Sequence, residues 1–376
     1  MSEEKWIPKV RFGNFNKNWK KYLMSDVFDI KAGGDIEKEK VSKEKTIKNI
    51  YPIYANALKN EGLYGYTNTW KSEENTITVT ARGALGYALP RYNKYYPIVR
   101  LLVLKPKIDS DIYFFSEAIN RLTIFNEASG VPQLTAPQLR TYKLKFPLVH
   151  EQQKIGNLFK KLDQAISLQQ QVLEATKEYK QSMLQKMFPK KGEKVPEIRF
   201  KEFEGIWSGR LLEEITDNYD RYRIPITEKD RISGSTPYYG SNGIQDFIEG
   251  YTHKGNFVLL AEDGANDIDN YPVRFVSGKI WVNNHAHVLK AKDNVDSYFL
   301  TYVLNTINMR KYLVGSSRMK LNATTMMMIK LLIPSFEEQQ KIGSFFKTLD
   351  EKIEQEEKKL ETYQSMKKAL MQRMFV

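Results

Sequence analysis

Two histidines one residue apart, His285 and His287, would put both imidazoles on the same side of a strand. Asp263, Asp267 and Asp269 are the only nearby carboxylates, so the chemistry to test is divalent-metal binding. A transition-metal site needs more ligands than this, and the chain has no cysteine. The acidic run Glu262–Asp267 lacks the alternating spacing of a calcium loop. A turn after a strand accounts for Gly264 and Asn266 more simply. No GxxxxGK[ST] loop and no GxGxxG are present. Nor is the Asn/Asp-Pro-Pro-aromatic tetrapeptide that would hold an exocyclic amine for methyl transfer. The expectation is therefore no catalytic group, no metal and no cofactor on this chain.

What the sequence offers instead is basic residues interleaved with aromatic ones. Arg91-Tyr92-Asn93-Lys94-Tyr95-Tyr96 and Tyr219-Asp220-Arg221-Tyr222-Arg223 are the clearest runs. Arginine can bridge guanine O6 and N7, asparagine and glutamine can grip adenine, and lysine neutralises phosphate. Tyrosine-rich strands are also ordinary half-buried sheet. A net charge of +13 and a pI near 9.4 favour a polyanionic partner, most simply nucleic acid. The 376 residues suggest two or three domains. No run of 18 apolar residues predicts a membrane span, and MSEEKWIPKVRF has no apolar core of a signal peptide. The absence of cysteine is compatible with a cytoplasmic setting.

These residues are positioned by a two-fold repeat. EQQKIGNLFKKLDQAI from Glu151 returns as EQQKIGSFFKTLDEKI from Glu338. The match runs without a gap to Phe188 and Phe375, with about 17 of 38 positions identical. IPKVRFGNFNKNW at Ile7 likewise returns as VPEIRFKEFEGIW at Val195. A period near 187 residues is too long for a solenoid and marks a duplicated unit. The spacing predicts two long helices. Ile155, Leu158, Phe159, Leu162, Ile166, Val172, Leu173, Tyr179, Met183 and Met187 mark the apolar face of the first. Ile342, Phe345, Phe346, Leu349, Ile353, Leu360, Tyr363, Leu370 and Met374 mark that of the second. Ser335 with Glu338 reads as a capping box. Helices of about 38 residues exceed what one domain face covers, so each needs a partner helix. Pairing the two copies under a pseudo-two-fold makes the pair antiparallel. The expected helix-pair core is Ile155, Phe159, Leu162, Ile166, Leu173 and Met183 with Ile342, Phe346, Leu349, Ile353, Leu360 and Leu370.

The sequence before each helix reads as α/β with many short strands, among them NTITVTARGALGYALP, YYPIVRLLVLKP, GNFVLLAEDGAN and VRFVSGKIWVNNHAHVLK. YFFSEAINRLTIFNEA and SYFLTYVLNTINMRKYLV have helical spacing. Scattered anchors recur, such as Tyr54-Ala55-Asn56 against Tyr239-Gly240-Ser241-Asn242. The predicted fold is α/β (α+β): two domains of mixed small sheets and helices, 1–147 and 190–334, each followed by a long helix, 148–189 and 335–376. The helices pack as an antiparallel coiled coil that separates the domains, with pseudo-two-fold symmetry.

The twice-used Pro-xxx-Glu-Gln-Gln-Lys-Ile, at Pro147 with Glu151–Ile155 and Pro334 with Glu338–Ile342, resembles the specificity subunit of type I restriction–modification systems. So does the opening Pro-x-[Val/Ile]-Arg-Phe with a later Trp, at Pro8 to Trp19 and Pro196 to Trp207. The resemblance spans the chain. It implies a non-catalytic subunit whose two variable target-recognition domains each read half of a bipartite site on double-stranded DNA. The helices would set the spacer and help dock two methyltransferase subunits, which bind S-adenosylmethionine. Restriction subunits would use ATP and magnesium. Unlike halves predict an asymmetric target. The rivals are a coiled-coil DNA-binding protein of another class, acting without a methyltransferase, and a nuclease acting alone. The candidate DNA contacts are Asn56, Arg82, Arg91, Tyr92, Lys94 and Gln133 in the first half. In the second they are Arg221, Arg223, Asn242, Asn266, Arg274, Arg318 and Lys320.

Overall fold

The computed structural model describes residues 6–124, 133–316 and 318–376. The chain divides into two units, Met1–Gln170 with Lys359–Val376, and Gln171–Lys358. The long helices, Val149–Lys186 and Phe336–Met374, are therefore shared out, each unit taking a portion of both. The sequence had treated them as separate segments.

In the first unit an antiparallel sheet runs Phe28–Ala32, Leu102–Pro106, Thr76–Val79, Ala88–Arg91. A smaller sheet runs Leu63–Thr67, Tyr51–Tyr54, Tyr96–Pro97, its last pair parallel. The second unit has one six-stranded sheet: Thr216–Asn218, Ala286–Ala291, His253–Ala261, Val273–Val282, Ser233–Gly240, Gly243–Ile248. The strand orders coincide once Ala88–Arg91 and Tyr96–Pro97 are taken as two pieces of one strand, matching Val273–Val282. The stretch read as the continuous strand YYPIVRLLVLKP is broken at Val99 and Arg100. Both have positive φ, 54° and 61°, which ends strand pairing. The helical readings shorten to Ile112–Asn120 and Ser297–Asn305. Residues 125–128 of the first reading lie outside the described residues.

Most of the repeated motif fastens each long helix to its own domain. Glu151, 2% exposed, receives two 2.6 Å hydrogen bonds from Arg11; Glu338 receives the same fork from Arg199, at 2.8 and 2.7 Å. The first glutamine of each copy donates to the Pro147 or Pro334 carbonyl and accepts from the backbone N–H of Asp111 or Asp296. Those aspartates cap the short helices, each accepting at 2.7 Å from the N–H of Phe114 or Phe299. Ile155 and Ile342 enter the domain cores. Gly156 and Gly343 lie against the capping aspartates. Gly156→Ala would press its Cβ into Asp111 Oδ1, with the Phe114 amide 3.2 Å away. This overpacking is expected to destabilise the first unit by about 1–3 kcal/mol, and Gly343→Ala the second. Urea unfolding followed separately in each unit would measure both. The capping box is only half formed: the Glu338 amide donates to Ser335 Oγ at 3.4 Å, but the Glu338 carboxylate goes to Arg199.

Within each unit the helix portions run antiparallel. In the first, Lys367 bonds Asp163 and Phe159 meets Phe375. In the second, Lys180 bonds Asp350 and Phe346 meets Phe188. These are the same four positions of the repeat with the copies exchanged, as an isologous contact requires. Of the expected helix core, Ile155, Phe159, Leu173, Ile342 and Phe346 are buried, while Leu162, Ile166, Met183, Leu349, Ile353, Leu360 and Leu370 are half-buried. Val172 and Tyr179, which the apolar spacing placed on the same face, are 37% and 49% exposed. Buried Gln169 and Thr176 and half-buried Lys180 take the heptad places instead. The seam follows a seven-residue repeat that includes polar side chains, which a search for apolar residues passes over.

Candidate nucleic-acid interface

In both units an asparagine at the end of a sheet strand clamps loop backbone, at two points of one loop in the second unit and across two loops in the first. In the second, Asn242 Nδ2 donates to the Gly264 carbonyl and Oδ1 accepts from the Asn266 amide, both at 2.9 Å. In the first, Asn56 Nδ2 donates to the Val99 carbonyl at 2.6 Å and Oδ1 accepts from the Ala81 amide at 2.7 Å. The Tyr-…-Asn anchors legible in the sequence are thus equivalent in structure. The clamped loops differ in residue type between the units, so one scaffold presents two different surfaces.

Around Asn242 the structure gathers several candidates. Arg274 approaches Gly243, and Arg318 pairs with Asp263 at 2.9 Å. Asp263 also bonds His285 at 2.7 Å. The bridge of Asp263 with Lys320 brings a further cation alongside. Arg318, Arg274, Asn242, Asn266 and Lys320 are exposed. Arg221 is exposed in the turn Asp220–Tyr222 and donates to the Tyr222 hydroxyl. Around Asn56, Arg82 and Gln133 pair through an isolated bridge. Tyr92 is exposed, with Lys160 over its ring; Lys94 lies over Trp70 and pairs with Glu73 at 3.3 Å.

Two candidates turn inward. Arg91 is 4% exposed, bonds Thr78 and the Glu61 carbonyl, and stacks 3.6 Å from the Tyr54 ring centroid. Three positions from Ala88, it lies on the sheet face opposite that core residue and is buried there by Tyr54 and Glu61. Arg223 is held by Glu262 at 2.6 Å, by the Ala286 carbonyl and by Asp220. Neither guanidinium is free for a base edge.

Asp220, Glu262 and His287 place ligand atoms within 4.8 Å of one another. Arg223 and Lys320 already neutralise the carboxylates, with Lys320 2.8 Å from Glu262. His287 Nδ1 lies 2.6 Å from Asp220, and Nε2 lies 2.8 Å from the Leu321 carbonyl. Both ring nitrogens are thus turned to protein acceptors rather than to an ion. Burial opposes the charge of Glu262, but bonds from Lys320 and Arg223 outweigh it and hold the carboxyl below its ordinary range. Burial also opposes that of Asp220, where the His287 bond prevails in the same direction. Depressed carboxyls contribute stability that is full above the unfolded values near 4 and is lost as pH falls below them. Glu262→Gln is therefore expected to lower the second unit's stability at neutral pH, the gap narrowing as pH falls from about 4 through the carboxyl's depressed folded value. Thermal melts across that range would check it.

The family model for the type I restriction modification DNA specificity domain matches twice, over residues 16–178 and 207–362. The chain belongs to this family. It is a specificity subunit of the type I restriction–modification class. A type I restriction enzyme specificity subunit of Haemophilus influenzae is 40% identical over 131 residues, 35% of this chain and 34% of that one. The matched part thus spans about a third of that relative's length. A Mycoplasma genitalium specificity subunit is 22% identical over 385 residues, covering 98% of this chain and 96% of that one. The solved S subunit of a type I restriction–modification system from M. genitalium superposes with a TM-score of 0.74 at 18% identity, covering 98% and 99% of the two chains. A chain from a structure of type I complex assembly superposes at 0.51 with 13% identity, covering 95% and 97%. The expected fold of small sheets, helices and an antiparallel helix pair is the one found. Among the described residues, no helix is long and apolar enough to cross a membrane.

Proposed function

We propose that this specificity subunit is the double-stranded-DNA reader of a type I restriction–modification complex. Each unit reads one half of an asymmetric bipartite site, and the long helices set the spacer between the halves. The chain itself carries no reaction. Two methyltransferase subunits with S-adenosylmethionine dock against it in the cytoplasm, and restriction subunits bring ATP and magnesium. The observation that carries this reading is the shared strand order with an equivalent asparagine clamp, over which unlike loops hold unlike polar residues. A single repeated surface would read a palindrome. The net charge of +13 supplies the attraction to phosphate.

Methylome sequencing of cells with and without the gene tests the proposal. A bipartite N6-methyladenine motif is expected to vanish on deletion. Lengthening the helix pair by one turn should change the spacer and leave both half-sites intact. An unaltered methylome on deletion would refute the assignment.

A further inference from the structure

The turn at Val99 and Arg100 places a β-branched residue of the first unit in left-handed backbone. A left-handed conformation is uncommon for any side-chain-bearing residue and an outlier for a β-branched one such as Val99. Here two consecutive residues adopt it. The surroundings hold them there. The Val99 amide donates to the Gly34 carbonyl at 3.0 Å, and the Arg100 amide to the Gly33 carbonyl at 3.1 Å. Asn56 takes the Val99 carbonyl. Gly33 must be glycine, because a Cβ there would lie 2.7 Å from the Pro97 backbone carbon and oxygen. Strain held in place this firmly points to a use for the side chain it aims.

That side chain is exposed, and among the described residues it makes no ion pair or hydrogen bond. Arg91 and Arg223, by contrast, are consumed within the fold. The amide that pins Val99 also pins Ala81, so Arg82 and Arg100 each follow a residue held by Asn56. The matching stretch of the second unit has no such turn; there His285 is engaged with Asp263.

We propose that Arg100 reads a guanine edge in the half-site bound by the first unit. This rests on the proposed DNA-reading function. A phosphate contact needs only a positive charge on a flexible stem. A bidentate bond to O6 and N7 needs a guanidinium launched from a fixed backbone.

The test is the methylome of cells carrying the chain with its own methyltransferase, comparing wild type, Arg100→Ala and Arg100→Lys. Both variants are expected to relax the same single G·C position, with roughly 5- to 150-fold lost preference there, and to leave the other half-site unchanged. Lysine keeps the charge and loses the fork, so it does not rescue base reading. Restoration of the wild-type motif by lysine, an unchanged motif in Arg100→Ala, or a uniform loss of methylation overturns the proposal. A wild-type chain that directs no bipartite motif would instead sink the DNA-reading function itself.

Discussion

Phe375→Ala is expected to cost the first unit about 3–5 kcal/mol and leave the second near its wild-type stability. Phe375 directly follows the second long helix, yet it is 6% exposed inside the first unit's core. Its ring stacks on Phe114 at 5.1 Å and meets Trp19 and Phe159 edge-on or tilted at 6.1 and 5.7 Å. Truncating it opens a cavity beneath three aromatic rings that strands and capped helices keep from collapsing. Phe188→Ala should do the reverse. That ring lies against Trp207, Phe299 and Phe346 in the second unit. Hydrogen exchange resolved along the chain would separate the two effects. Equal loss of protection in both units from either substitution would contradict this assignment of cores.

Removing the Glu151 carboxylate has a comparable effect for a different reason. Arg11 and Glu151 side chains are 10% and 2% exposed, and the guanidinium is aligned on both carboxylate oxygens. Arg11 also donates to the Lys17 carbonyl, so the pair ties the N-terminal segment to the start of the long helix. Glu151→Ala leaves a largely buried guanidinium without its counter-charge, at a cost of about 3–5 kcal/mol. Adding Arg11→Met should recover part of that loss, because the unpaired charge is then gone. Chemical denaturation of the two single variants and the double variant would show it. Strictly additive losses would mean the pair acts only as two independent contacts.

How much of this was legible depended on whether a feature is local in sequence. The long helices, their antiparallel partnership and the Tyr-…-Asn anchors were readable because they repeat. Glu151 and Arg11 were visible as parts of two repeated motifs, but nothing along the chain says that they meet; that follows from folding 140 positions together. Among the basic candidates, Arg91 and Arg82 look alike in sequence. Tyr54 and the Glu61 carbonyl, distant in sequence, bury one, and the other stays half-buried in a loop. Arg100 does not stand out in sequence because VRLLVLKP reads as one apolar strand, and the break depends on two glycines some 65 residues earlier. The heptad seam is only partly legible because Gln169, Thr176 and Lys180 hold its places without being apolar.

The exchange of helix ends also sets an order of assembly. The second unit is a single stretch of chain, Gln171–Lys358, whereas the first waits for Lys359–Val376. On a ribosome the half made first is therefore the half completed last. Until Phe375 emerges, Trp19 and Phe114 face an unfilled socket, and a nascent chain carries one finished reader and one open one.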